Sequence, residues 1–229
     1  MLLISDIHAN PVALEAVLKD AGSVDMIIHA GDIVDYNPWP MEALDKIRDL
    51  SVISVKGNHD RDSASGKPEG YNVYAKASCL WTHEQLTYEA RDYLSSLPEK
   101  IKLNIDGLNF FVCHGSPRSL IDEYIYPPPI TPRNVLLTFL DETASDIIIM
   151  GHTHIPFVET FAGRRVINPG GLGQPRDNVP LASYTILEIE DEKVNVKHRR
   201  IVYDIDKVAR EIRRRGLPTF LAQRLFCGV

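Results

Sequence analysis

The chain has 229 residues, 44% hydrophobic and 24% charged, with a formal net charge of −6. That size and mix predict one globular domain, residues 1–229, with a substantial core. The acidic balance argues against general nucleic-acid binding, which needs excess Lys and Arg, and no apolar run approaches the roughly 18 residues that span a membrane.

Three scattered cysteines, Cys79, Cys113 and Cys227, are too few and odd in number for a disulfide framework or a thiolate metal site. They fit a reducing compartment. The opening residues show no basic and long apolar leader, so the expected location is the cytoplasm.

Residues 2–5 predict a short strand. Asn10-Pro11 opens a helix through about residue 21, with Asn as cap, Pro at the first helical position and Gly22 as stop. Residues 24–30 are nearly all apolar, as in a strand of a parallel sheet covered on both faces. A helix at about 40–50 and a strand at 51–56 complete βαβαβ, which places a site at the carboxyl ends of the strands. Residues 61–80 read as loop around Gly66, Pro68 and Gly70, and Thr82 as the cap of a helix over 83–96.

Residues 100–105 and 108–113 predict a hairpin around Asp106-Gly107. Pro127-Pro128-Pro129 and Pro132 stiffen a loop before a helix over 133–142 and a strand over 146–150. A second hairpin, 156–168, turns at Ala162-Gly163. Strands at about 181–190 and 193–203, a basic helix at 204–215 and a short helical tail close the chain. Alternating α/β followed by mostly antiparallel β predicts an α/β (α+β) fold: a four-layer αββα sandwich of two mixed sheets.

The chemistry gathers where strands end, at Ser5-Asp6-Ile7-His8, Gly31-Asp32-Ile33-Val34-Asp35, Gly57-Asn58-His59-Asp60, Cys113-His114-Gly115 and Gly151-His152-Thr153-His154. Asp6, Asp32, Asn58, His8, His114, His152 and His154 offer oxygen and nitrogen ligands and no thiolate. That donor set suits Mn²⁺, Fe, Zn²⁺, Ni²⁺ or Co²⁺. Seven ligands exceed what one catalytic zinc takes and suit two divalent ions sharing a carboxylate. Two such ions ~3.5–4 Å apart can clamp a phosphate oxygen during in-line displacement.

Those five blocks, in that order, resemble the calcineurin-like metallophosphoesterase family. The compact length and the Asn168-Pro169-Gly170 turn are similar to its small bacterial and archaeal phosphodiesterases. The resemblance implies the αββα fold. It implies that Asp6, His8 and His154 hold one metal, Asn58, His114 and His152 the other, and Asp32 bridges, with Mn²⁺ the leading candidate. It further implies attack on phosphorus by a metal-bridging hydroxide. His59 would stand over the substrate as proton donor or as a charge on the phosphoryl group, with Asp35 as its acidic partner.

One position departs from the family pattern. Tyr36 stands where the protein phosphatases place a phosphate-gripping Arg. Arg118, Arg133 and Arg176 are the candidates to replace it, and spacing does not choose among them. Tyr36, Tyr71, Tyr74 and the loop 124–129 are candidates to line an aromatic cleft for an organic group.

The expected partner is therefore a small anionic phosphate ester: a phosphodiester or phosphoanhydride, nucleotide-derived by preference. The alternatives are a phosphomonoesterase or protein phosphatase, and a non-catalytic module of the same fold. A two-fold homodimer is the generic expectation. His29 and Cys113 read as core, His83 and His198 as surface groups, and Arg213-Arg214-Arg215 as a solvated helix face.

Overall fold

In the computed structural model, which describes residues 1–190 and 193–229, short strands alternate with helices and then give way to hairpins. The first part contains β1 (Leu2–Ile4), α1 (Pro11–Ala21), β2 (Ile27–His29), α2 (Pro40–Asp49), β3 (Ile53–Ser54), α3 (Asn58–Ser65), α4 (Val73–Gln85) and α5 (Tyr88–Ser96). The second contains β4 (Lys100–Ile105), β5 (Leu108–Cys113), α6 (Arg133–Thr143), β6 (Ile147–Ile149), β7 (Phe157–Phe161), β8 (Arg164–Asn168), β9 (Ala182–Glu190), β10 (Lys193–Ile201), α7 (Ile205–Arg214) and α8 (Thr219–Leu225).

Two five-stranded sheets form, in the orders β10-β9-β1-β2-β3 and β4-β5-β6-β8-β7. Both are mixed. β1, β2 and β3 run parallel, and so do β5, β6 and β8, while the outer partners are antiparallel. Strand side chains alternate between faces, and the burial follows that alternation. Leu3, Ile28, Phe110, Val112, Ile147 and Ile149 meet in the core between the sheets. Leu2 and Ile4 point the other way, onto α1, α2 and α7, while Phe111, Cys113 and Ile148 pack under α6. The result is the αββα sandwich.

The entry to α1 follows the predicted chemistry: the Asn10 side chain accepts from Ala13 N at 3.0 Å, Pro11 opens the helix, and Gly22 ends it at φ +69°. Several strands are shorter than predicted, β2, β3 and β6 most relevantly to the site. β2 keeps 27–29 of 24–30, β3 keeps 53–54 of 51–56, and β6 keeps 147–149 of 146–150. The residues removed from their carboxyl ends leave the ladder to begin the loops that carry the site.

The segment 61–96 corrects the reading most. It is largely helical, and the helix predicted over 83–96 is two helices, with Thr82 inside α4 rather than capping it. The caps are Asn72, which accepts from Tyr74 N and Ala75 N, and Thr87, which accepts from Ala90 N. Leu86 lies extended between them. His83 is half-buried rather than on the surface, its Nδ1 2.8 Å from the Ser63 carbonyl. His29 and Cys113 are in the core, and His198 is exposed. No helix is long and apolar enough to cross a membrane, among the described residues.

Candidate metal centre

β1, β2 and β3 of one sheet, and β5 and β6 of the other, end at the same edge of the sandwich. Immediately past each end the backbone turns. Asp6, His8, Asp32, Asp35, His152 and His154 all have positive φ, between 46° and 78°. A non-glycine residue rarely adopts that conformation, and each costs roughly 1–3 kcal/mol that the surrounding packing must offset. The turns break strand alternation, so Asp6 and His8 converge on one group while His152 and His154, also two apart, go to different ones.

The predicted ligands converge. Asp6, His8, Asp32 and His154 each offer a ligand atom within 4.8 Å of the others, and Asp32, His114 and His152 do the same. His8 Nε2 lies 3.1 Å from His154 Nε2, which is 3.2 Å from Asp6 Oδ1. His114 Nε2 lies 3.1 Å from His152 Nδ1 and 3.2 Å from Asn58 Oδ1. Asp32 Oδ2 stands between the groups, 3.6 Å from His8 Nε2 and 3.1 Å from His114 Nε2.

Each imidazole has its other nitrogen against a main-chain carbonyl, which only an N–H satisfies. His8 Nδ1 meets Val34 at 3.1 Å, His114 Nδ1 meets Ala30 at 2.7 Å, His152 Nε2 meets Asp122 at 3.3 Å, and His154 Nδ1 meets Gln174. In the neutral form of each ring this fixes the tautomer with a lone pair toward the cluster, as metal-binding histidines require. Asp6 Oδ1, Asp6 Oδ2 and Asp32 Oδ2 are buried without a hydrogen-bond partner. Buried carboxylate oxygens are costly unless paired or coordinated. The donor set fits two divalent cations.

The electrostatics agree with cation sites. Burial pushes Asp6 up to about 7, helped by Asp32 and opposed by His114. Burial also lowers His8 and His154, and it brings His152, beside His114, down to about 2, so these rings are neutral. Burial works against Asp32 ionising, but His114, His59 and His8 hold its carboxyl well below the usual range. His114 rises to about 9 because the Asp32 charge outweighs burial.

His59 opens α3 beside Asn58 and stands off the ligand set. Its Nδ1 lies 2.6 Å from Asp35 Oδ2. Burial works against its protonation, yet Asp32 and Asp35 together raise it above the ordinary histidine value. Its ring sits against those of Tyr36, Tyr71 and His8, with centroids 4.5, 4.8 and 4.9 Å away. Ser78 of α4 donates to Asp35 Oδ1, and Thr82 Oγ1 lies 3.5 Å from the same oxygen.

Of Arg118, Arg133 and Arg176, Arg176 is the one that reaches the site. Its Nη2 donates to Tyr36 Oη at 3.2 Å and to Gln174 Oε1 at 3.3 Å. Arg118 pairs with Glu123 and lies over Phe139, and Arg133 pairs with Glu159 over Phe161. Both are held in those surface pairs, and among the described residues neither is hydrogen-bonded to a candidate ligand. Tyr124 stacks on His152 at 3.8 Å.

Sequence reasoning missed the parts that Asp60, Gly57 and Tyr71 play. Asp60 accepts from four backbone N–H groups, of Asp32, Ile33, Val34 and Gly57, and so fixes the loop that carries Asp32. Burial and the Asp32 charge push it up to about 7, while the Gly57 and Val34 N–H groups pull it back. A Cβ on Gly57 would lie 2.0 Å from Asp32 Oδ1, so only glycine admits that approach. Tyr71 Oη accepts from Asn58 Nδ2 at 2.8 Å and aims the amide oxygen inward. The fourth residue of Gly57-Asn58-His59-Asp60 was visible as an acid. Its partners were not.

Residues 1–192 match the calcineurin-like phosphoesterase superfamily domain. The chain is 36% identical to an uncharacterized protein of Methanocaldococcus jannaschii over 247 positions, covering 99% of this chain and 97% of that one. It is 31% identical to a probable metallophosphoesterase of the same organism over 194 positions, 83% of this chain and 76% of the relative. Among solved structures, a metallophosphoesterase from Sphaerobacter thermophilus superposes with a TM-score of 0.85 at 39% identity, covering 100% of this chain and 98% of the other.

Proposed function

The chain belongs to the calcineurin-like phosphoesterase superfamily, and on that premise we propose that it is a two-metal hydrolase of phosphodiesters or phosphoanhydrides of small, nucleotide-type molecules. One observation carries the reading: four imidazoles with fixed tautomers surround carboxylate oxygens that have no partner of their own. Asp6, His8 and His154 would hold one ion, and Asn58, His114 and His152 the other. Asp32 Oδ2, within 3.6 Å of both groups, would serve both.

When bound, two divalent ions supply Lewis acidity, which lowers the pKa of a water and neutralises phosphoryl oxygens. The chain's own groups do the rest. The water oxygen adds to phosphorus as the bond from phosphorus to the leaving oxygen breaks. His59, held through Nδ1 by Asp35, keeps its Nε2 proton for that leaving oxygen. Arg176 takes the phosphate-gripping part that Tyr36 cannot play, since a guanidinium offers a planar pair of donors. The aromatic surroundings of His59 suit an organic ester group more than the flexible side chain of a phosphoprotein.

Manganese is the proposed ion, because an oxygen and nitrogen donor set without thiolate suits it. The three cysteines are unpaired thiols, which supports a reducing compartment such as the cytoplasm.

The test is the kcat/KM of manganese-loaded protein on an activated diester and an activated monoester, with His59→Ala alongside. The proposal expects the diester to be preferred. It expects His59→Ala to lower kcat by roughly 10²–10⁴-fold with both ions retained. Preference for the monoester would make the protein a phosphomonoesterase. Turnover of neither would favour a non-catalytic module.

A further inference from the structure

Arg176 and Arg224 reach the same tyrosine from distant parts of the chain. Their guanidinium carbons lie 5.7 and 5.6 Å from the centre of the Tyr36 ring. Neither forms an ion pair with an Asp or Glu among the described residues. Arg176 donates to the Tyr36 hydroxyl and the Gln174 amide, and its Nε is buried with no partner at all. Arg224 Nε donates to the Val229 main-chain oxygen. Burial and the charge of Arg176 lower Arg224 to about 10. Two like charges on one ring, part-buried and with no Asp or Glu side chain paired to either, are costly unless an anion joins them.

The pair sits one ring away from the metal ligands. Tyr36 lies against His8 at 4.6 Å and His59 at 4.5 Å. Gln174, which accepts from Arg176, supplies the carbonyl that fixes His154. Two divalent ions against Asp6 and Asp32 already leave the centre positive, and the arginines add two more charges. A diester brings a single negative charge to that field, whereas a polyphosphate brings several.

The helix that supplies Arg224 also supplies a surface for an organic ring. Phe220 of α8 stacks on Tyr74 of α4 with centroids 4.7 Å apart, and Arg224 lies 5.5 Å from the Phe220 ring. Phe220 and Tyr74 are 40% and 43% exposed, so the stacked pair is partly open to solvent beside Arg224.

We infer that α8 forms part of the substrate site. Arg224 and Arg176 make a second anion subsite for a phosphate next to the scissile one, and the Tyr74–Phe220 face receives the base. The preferred substrate class is then a nucleoside carrying two or more phosphates in anhydride linkage. The inference rests on the two-metal hydrolase reading for the position of the scissile phosphate.

Binding tests it without relying on turnover. The probes are AMP and the methylene-bridged analogue of ADP, titrated calorimetrically into manganese-loaded full-length protein. The wild type is expected to bind the ADP analogue at least tenfold tighter than AMP, and Arg224→Gln to erase that ratio. Arg224→Lys keeps the charge but loses the planar fork, so it should fall between. A ratio near one in the wild type, or a ratio unchanged in Arg224→Gln with its melting temperature intact, overturns the subsite. If Arg224→Gln melts early, Arg224→Lys decides by the same ratio. Failure of the hydrolase reading shows separately, as wild-type protein that loads manganese, binds the analogue and turns over no phosphate ester.

Discussion

A free histidine is neutral or charged with nearly equal ease around pH 6.5, and either nitrogen can carry the proton. The loops of this chain remove both freedoms. Burial favours neutral His8, His152 and His154, and a carbonyl takes one N–H from each. His59 is treated oppositely, since Asp32 and Asp35 overcome burial and raise it. A proton donor with a raised pKa works below that value and fails as pH rises through it. In Asp35→Asn the charge and the strong hydrogen bond go, so the His59 pKa falls. The alkaline limb of kcat should then move to lower pH, with kcat down by roughly tenfold or more. An unmoved limb in the kcat profile would remove His59 from the proton-donor role. At this scale the candidate ligands and His59 were legible, because their residue types and order at the strand ends carry the family's pattern. Asp60 and Arg224 were not, because their parts depend on which atoms the fold brings against them.

At the scale of elements, legibility followed the kind of face each one buries. Strands and helices that bury apolar stripes, such as β5 and α1, announce themselves by their period. α3 buries Asn58, His59, Asp60, Asp62 and Ser63, and α4 buries Ala75, Ser78, Cys79 and Thr82. Those positions have helical spacing but small or polar side chains, so no hydrophobic stripe marks them. Their burial serves the site: Ser78 and Thr82 face Asp35. Ser78→Ala should therefore lower kcat several-fold through a looser Asp35–His59 pair while manganese content stays at the wild-type value. Lost metal instead would mean that α4 supports the ligands directly. Asn72→Ala removes the side-chain cap of α4 and should cost about 1 kcal/mol, seen as a fall of roughly 2–4 °C in melting temperature. No fall would mean that packing rather than capping holds the start of α4.

The whole molecule is two sheets whose carboxyl edges meet at the cluster. The sandwich itself was readable from alternation, and the short strands differ from their predicted lengths where the chain leaves the ladder for the site. Asp6, His8, Asp32 and Asn58 follow strands of one sheet, and His114, His152 and His154 follow strands of the other. Bound ions would link the two. At free manganese a hundredfold above Kd, each bound ion adds about 2.7 kcal/mol. For a chain of this size that corresponds to a rise of roughly 5–10 °C in melting temperature per ion. Calorimetry with and without chelator should show that difference within one transition, as residues 1–229 forming one domain requires. Two transitions, or a melting temperature indifferent to chelator, would contradict it.

The most direct measurement is the manganese stoichiometry of the folded protein, taken by titration calorimetry and by metal analysis after desalting. Two ions per chain are expected in the wild type. His154→Ala should keep one, held by Asn58, His114 and His152, and Asp32→Ala should weaken both. One ion or none in the wild type, or two in Asp32→Ala at wild-type affinity, would contradict the two-ion centre on which this account of the protein rests.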